Sequence, residues 1–262
     1  MCSLKPVLPD KESPYPRICA HRGFHTVLPE NSLPGIASAI VLGADEVEMD
    51  LWQTADNEAV IFHDTVLDRV TDETGLVTEK MLSQLKKADL GFRRDPSLSG
   101  LRILTLEKVL RHFGKKIIIN LHLRFPDYEK IDPAFLRKVF DLIRAYDCMD
   151  HIYVCGFASV CAAVRKVCPE IALCMATGPD RSKMDAVENA IKYQCAKVQL
   201  FMGYFTQEMI EKAHKHSIRC NYCLTDDPSE GKELLKRGFD TLLTNNFLQV
   251  AQGVFPERYS FL

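Results

Sequence analysis

The chain has no apolar run approaching the roughly 20 residues that a membrane-spanning helix needs. Its first residues, MCSLKPVLPDKESPYPR, lack the hydrophobic stretch of a signal peptide and are interrupted by prolines. Both absences make a cytoplasmic protein the expectation. Charge of one sign is also missing in excess, with a formal net charge of −2 over 262 residues. Nucleic acid and anionic membrane are thereby poor bulk partners. No Gly-x-Gly-x-x-Gly follows the first apolar run, which argues against an open, dinucleotide-binding sheet. Tryptophan is nearly absent: Trp52 is the only one, and core packing is its expected role. Cysteine is not scarce, yet ten in a chain this long do not make a disulfide scaffold. Cys155, Cys161, Cys168 and Cys174 sit in apolar runs, where the thiol behaves as a small buried hydrophobe.

What is present concentrates between Ile18 and Asp64. Three short apolar runs there each end in chemically useful residues: His21-Arg22, then Glu48 and Asp50, then His63-Asp64. Strand side chains alternate faces, so Glu48 and Asp50 point the same way with Met49 opposite. Two adjacent carboxylates repel unless a cation lies between them, and hard divalent ions take such oxygen ligands. His21 and His63 are residues able to carry protons near neutral pH. Arg22 presents a planar fork suited to phosphate oxygens. Metal, acid, base and phosphate clamp together point to phosphoryl-ester chemistry.

The remainder alternates strands with helices. Asn31 or Ser32 caps a first helix that Gly43 ends, and Thr105 caps one closed by Gly114. Strands are expected at 116–124, IYVCGF, IALCMAT, KVQLF, IRCNYCL and TLLTNN, with helices at 132–146, 159–167, 182–194, 206–216 and 228–237. This rhythm implies a parallel sheet, and about eight repeats imply closure into an α/β (β/α)₈ TIM barrel. Nine candidate strands compete for eight places. The link 54–58 is too short for a helical crossover, so the second and third strands should be joined without a helix. Residues 1–16, with four prolines, read as an arm, and 17–262 as one barrel domain. The stretch 65–103 reads as an insertion after the third strand, with a helix near 78–88. Cys220 and Cys223 lie three apart on a strand and so face opposite sides. His214 and His216 are expected at the solvent, and His25 as a surface loop residue.

The motifs AHRG, Pro29-Glu30-Asn31, Gly43-Ala44-Asp45, Glu48-x-Asp50, Thr54-x-Asp56 and His63-Asp64 resemble the glycerophosphodiester phosphodiesterase family in order and spacing. The resemblance is dense over the first quarter of the chain and thinner beyond. It implies a barrel enzyme that uses a divalent cation, Mg²⁺ or Ca²⁺, to hydrolyse small-molecule glycerophosphodiesters to glycerol 3-phosphate and an alcohol. It also implies that the insertion shapes the leaving-group pocket. Within it, Arg93 and Arg94 either meet an anionic head group or are simply solvated, the commoner fate of exposed charge.

The chain departs from the family on the fourth-strand motif Asn-x-Glu-x-Lys, which here is Asn120-Leu121-His122-Leu123-Arg124. By that resemblance His122 takes the place of a third carboxylate ligand and Arg124 that of a phosphate-facing lysine. Imidazole favours Mn²⁺ or Zn²⁺ over Mg²⁺ or Ca²⁺. Later motifs change too, to Cys223-Leu224-Thr225-Asp226 and Leu242-Leu243-Thr244-Asn245. The expected site is therefore catalytic His21, His63 and Arg22, metal-binding Glu48, Asp50 and His122, and phosphate-binding Arg22 and Arg124. Two alternatives remain at this point. One is an altered relative that binds phosphodiesters without cleaving them. The other is a lipid phosphodiesterase resembling lysophospholipase D.

Overall fold

Nine or ten strand-forming runs must share one barrel, and the register shows how. A computed structural model of the protein describes residues 13–177 and 185–260. Strand β1 (Arg17–His21) leads through helix α1 (Leu33–Val41) to β2 (Glu46–Gln53). Two short strands, β3 (Ala59–Ile61) and β4 (Leu104–Thr105), enclose a single helical turn, α2 (Leu82–Leu85). Then follow α3 (Leu106–Phe113), β5 (Ile118–Leu123), α4 (Pro133–Ala145), β6 (Ile152–Gly156) and α5 (Ala158–Val167). The last third holds β7 (Ala172–Ala176), α6 (Ala186–Lys192), β8 (Lys197–Phe201) and α7 (Gln207–Lys215). It ends with β9 (Arg219–Cys223), α8 (Pro228–Lys236), β10 (Thr241–Thr244) and α9 (Phe247–Val254).

Strands β1, β2 and β5 to β10 pair in parallel and close, since β1 bonds both β2 and β10. The surplus strand is β3, which runs antiparallel to β2 with Leu51 opposite Ile61. Asp56-Asn57 turns the chain, with Asn57 at φ 60, so no crossover helix is needed. Strand β2 overshoots the barrel rim and β3 brings the chain back to it. Helix caps follow local chemistry: Ser32, Thr105 and Asp132 each accept a hydrogen bond from an early backbone N–H of α1, α3 and α4. The expected helix near 78–88 is reduced to a 3₁₀ turn at Val77–Glu79 and α2. Packing accounts for this, because Val77, Leu85, Ala88 and Leu90 form a separate apolar cluster with Trp52 and Phe62 over β3. Helix α9 was not among the expected elements, although Phe247, Val250, Ala251 and Val254 are buried at helical spacing. Residues 1–12 of the expected arm and the first three residues of the expected helix at 182–194 lie outside the described residues. Among the described residues no helix is long and apolar enough to cross a membrane.

The main apolar cluster lies between barrel and helices, while the barrel bottom is polar. Glu46, fully buried, accepts from Lys197 Nζ at 2.6 Å, Tyr153 Oη at 2.6 Å and Arg17 at 3.3 Å. Tyr15 covers this cluster from below, its ring 3.8 Å from the Arg17 guanidinium. Burial alone would raise the Glu46 carboxyl, but Lys197 and then Arg17 outweigh it and hold the pKa below its usual value. Lys197→Met leaves this carboxylate short of its main partner and should cost about 3–5 kcal/mol in urea unfolding. A depressed carboxyl pKa stabilises the fold above the unfolded value and loses that contribution as pH falls through the folded one. The deficit of Lys197→Met should accordingly be largest near neutrality and shrink below pH ~4. A deficit independent of pH would mean that lost packing, not charge, is responsible.

Candidate active site

Strand register assembles the site. The β1–β2 pairing sets His21 beside Glu48, and the β2–β5 pairing sets Glu48 beside Asn120 and Asp50 beside His122. Arg22 continues from β1 in a left-handed conformation, φ 55, and its backbone N–H donates to the Glu48 carbonyl at 3.0 Å. Gly23 follows at φ 83, where a Cβ would lie 2.9 Å from the Gly35 backbone, so the AHRG turn cannot take a larger residue without strain. His63 returns on the antiparallel strand, with Phe62 N–H bonded to the Asp50 carbonyl at 2.9 Å. His21, Arg22, Glu48, His63, His122 and Arg124 line one cavity of about 360 Å³ inside the barrel mouth. Asp50, bonded to Arg124 of that lining, is fully buried.

The two carboxylates differ. Arg124 donates to Asp50 Oδ1 through Nε at 2.9 Å and lies 2.8 Å from it through a terminal nitrogen. Burial would raise the Asp50 carboxyl, but Arg124, then His122, His63 and Arg22, hold it at about 2. Glu48 lacks such a bidentate partner, so burial and then the Asp50 charge push it well above its usual value. His122 Nδ1 lies 3.8 Å from an oxygen of each carboxylate, too far for a hydrogen bond. Its pKa falls to about 3, chiefly by burial and then by Arg124, so the imidazole is neutral and able to ligate.

Glu48, Asp50 and His122 present ligand atoms within 4.8 Å of one another. Around them Arg22 Nε, Asn31 Oδ1, both amide atoms of Asn120 and His122 Nε2 are buried without a hydrogen-bond partner among the described residues. This donor set fits a divalent cation. Among the site charges, Glu30, Glu48, Asp50 and Asp64 face Arg22, Arg69 and Arg124, which leaves one negative charge in excess. A divalent ion turns that into one positive charge, which a single phosphodiester neutralises.

The histidines are not equivalent. His21 Nδ1 lies 2.7 Å from Asn245 Oδ1, and Asn245 Nδ2 donates to Asp226 at 2.9 Å. The Asp226 carboxylate only accepts, so it orients the amide and makes Nδ1 of His21 the N–H donor. The Nε2 lone pair then faces the cavity, 3.7 Å from Glu48. Burial and then Arg22 lower the His21 pKa to about 4, so it is neutral at pH 7 rather than partly protonated. His63 instead pairs with a carboxylate, Asp64, at 2.6 Å, and Arg69 holds Asp64 at 2.5 Å.

Five further residues belong to this constellation. Glu30 bridges Arg22 at 3.3 Å and Arg69 at 2.6 Å, and Asn31 reaches Asp50 at 3.4 Å. Asp64, Asp226 and Asn245 orient the two histidines. Glu30, Asn31 and Asp64 sit inside the sequence motifs, but their partners show only in three dimensions. His25, expected at the surface, has its ring 5.9 Å from His21. Trp52 packs as expected, buried, with its indole N–H donating to the His63 carbonyl at 3.2 Å. His214 and His216 are exposed, and His214 also bonds Asp240 at 2.9 Å. Cys220 joins the outer core, whereas Cys223 lines the inner cavity.

Known proteins agree with this picture. Residues 21–248 match the sequence model of the glycerophosphoryl diester phosphodiesterase family. A glycerophosphodiester phosphodiesterase from Caldanaerobacter subterraneus is 25% identical over 233 residues, covering 87% of this chain and 93% of its own. One from Bacillus subtilis is 34% identical over 116 residues, 41% of this chain and 40% of its own. An Oleispira antarctica phosphodiesterase, solved with its product sn-glycerol-3-phosphate, superposes with a TM-score of 0.81. That match covers 93% of this chain and 98% of the other at 22% identity, and it bears on the fold. The family is metal-dependent, in keeping with the cluster of Glu48, Asp50 and His122. With more than half its length matched, the chain belongs to the glycerophosphoryl diester phosphodiesterase family, phosphoric diester hydrolases that split glycerophosphodiesters.

Proposed function

We propose that the hydrolysis runs in the barrel-mouth cavity and yields glycerol 3-phosphate and a free alcohol. Glu48, Asp50 and His122 hold the divalent cation. When bound there, the ion supplies Lewis-acid stabilisation of the charge that develops on the phosphate. Arg22 and Arg124 take the phosphate oxygens and add to that stabilisation. His21 Nε2, unprotonated and oriented by Asn245, removes the proton from the attacking hydroxyl. His63, oriented by Asp64, returns a proton to the departing alcohol. The observation that carries this reading is the contrast between the two rings, one on an amide oxygen and one on a carboxylate. A non-hydrolytic binder would have no use for that difference.

Residues 17–262 act as one domain in this reading, with 65–103 as its insertion. Nine free, buried cysteines among the described residues support a reducing compartment, which we take to be the cytoplasm.

The test is product analysis with and without chelator. Glycerophosphocholine should give glycerol 3-phosphate and choline, chelation should stop turnover, and a divalent metal should restore it. Release of phosphocholine and glycerol would mean that the opposite ester bond is cut. Glu48→Gln keeps the shape but removes a ligand charge, so metal affinity should fall about tenfold or more while the melting temperature holds. An unchanged affinity would move the ion elsewhere.

A further inference from the structure

A second cavity, of about 350 Å³, opens on the other side of His21. His25, Glu30, Arg69, Arg93, Arg94 and Asn245 are among its lining residues. It adjoins the catalytic cavity at two places. Asn245 belongs to its wall and bonds His21, and Glu30 belongs to its wall and bonds Arg22. A phosphodiester held by Arg22, with one end in the inner cavity, therefore has this outer one available for its other ester group.

The charge of the outer cavity is lopsided. Three arginines face one carboxylate, Glu30. Arg69 is spent, because it donates to both oxygens of Glu30 and to Asp64. Arg93 and Arg94 are not spent. Arg93 donates only its Nε, to the Thr71 carbonyl at 2.6 Å, and Arg94 donates one terminal nitrogen to the Thr26 carbonyl. Their other N–H groups have no partner among the described residues, although a guanidinium carries five donors. Freely solvated arginines would not be tied to backbone carbonyls, and both are. These bonds hold two cationic forks in place at the cavity. His25 offsets none of this positive charge, because an imidazole is never an anion near neutral pH. Its Nε2 is buried and unpartnered, which adds a polar atom for a ligand to meet.

We propose that the outer cavity receives the leaving group, and that Arg93 and Arg94 select alcohols carrying a second phosphate. A neutral alcohol has no use for two unspent guanidiniums, and a quaternary ammonium is repelled by them. A phosphate monoester offers oxygens that match an arginine fork. The inference rests on the hydrolytic reading above and adds the class of alcohol to it.

The experiment compares kcat/KM for glycerophosphoinositol 4-phosphate and glycerophosphocholine in wild type and variants. Wild type should favour the phosphorylated leaving group by about tenfold or more, mainly through a lower KM. The double variant Arg93→Gln, Arg94→Gln should bring the ratio of the two near one. Arg93→Lys keeps the charge and should keep most of the preference. Arg94→Glu should reverse it, and because Arg94 is exposed this variant decides the matter even if changes at Arg93 disturb the loop. Raising salt to about 0.5 M should shrink the wild-type ratio. A ratio near one in wild type, or one that the double variant and Arg94→Glu leave unchanged, would overturn the assignment while hydrolysis itself stands. If neither substrate is cleaved with any metal, the hydrolytic reading falls and takes this inference with it.

Discussion

His21→Ala and His63→Ala should each lower kcat/KM for glycerophosphodiesters by about 10² to 10⁴. The two losses have different physical origins, and the pH profile separates them. His21 sits at about 4, pushed down by burial and by Arg22. A base with that pKa is active above it and lost as pH falls through it. The low-pH limb of kcat/KM for wild type should therefore lie near pH 4, and His21→Ala should remove that limb together with the rate. His63→Ala should leave the low-pH limb in place. It should also be partly masked for substrates with a good leaving group, such as a nitrophenyl ester, because an alcohol that departs easily needs no proton. His21→Ala should stay impaired with the same ester. Near-full turnover in either variant would make that histidine a packing residue. Equal losses for both esters in His63→Ala would remove it from the acid role. Neither ring is in the main apolar core, so both variants should fold, and a melting curve checks this.

The reaction class was legible in the chain because its residues are local. His21-Arg22, Glu48-x-Asp50 and His63-Asp64 fall within one continuous stretch, and strand alternation places the two carboxylates on one face without further information. The closed barrel was legible from the alternation of strands and helices, and the short link 54–58 identified the irregular connection. What stayed hidden depends on long-range pairing. Glu30 meets Arg69 across 39 positions and His21 meets Asn245 across 224. The roles of the two histidines therefore could not be separated, since the difference between them lies in those partners. Helix α9 had a readable apolar stripe, but its burial makes sense only once β10 is known to close onto β1. The reverse error occurred at 78–88. Its local helical pattern lost to packing of the same residues against Trp52 and Phe62.

Changing His122 should reorder the metals that the site accepts. His122→Glu should shift the ratio of turnover with Mg²⁺ to turnover with Zn²⁺ by about 10² in favour of Mg²⁺. In wild type the neutral imidazole lies 3.8 Å from both carboxylates and, as a ligand, would leave a cation two negative partners. A borderline ion accepts that mixture of nitrogen and oxygen, whereas Mg²⁺ and Ca²⁺ favour oxygen donors. The substituted carboxylate would add both charge and oxygen at the same place on β5. Without metal it would also add a third buried negative charge beside Glu48, whose own carboxyl is already raised by burial and by Asp50. The apo variant should therefore melt lower than wild type and gain more on adding Mg²⁺, a readout that does not depend on turnover. The competing account makes His122 a phosphate contact and leaves the ion only Glu48 and Asp50. Under that account the new carboxylate would repel the diester, and activity would fall with every metal. Turnover and melting of both proteins with Mg²⁺, Ca²⁺, Mn²⁺ and Zn²⁺ separate the two. An unchanged metal order together with lost activity would remove His122 from the ligand set.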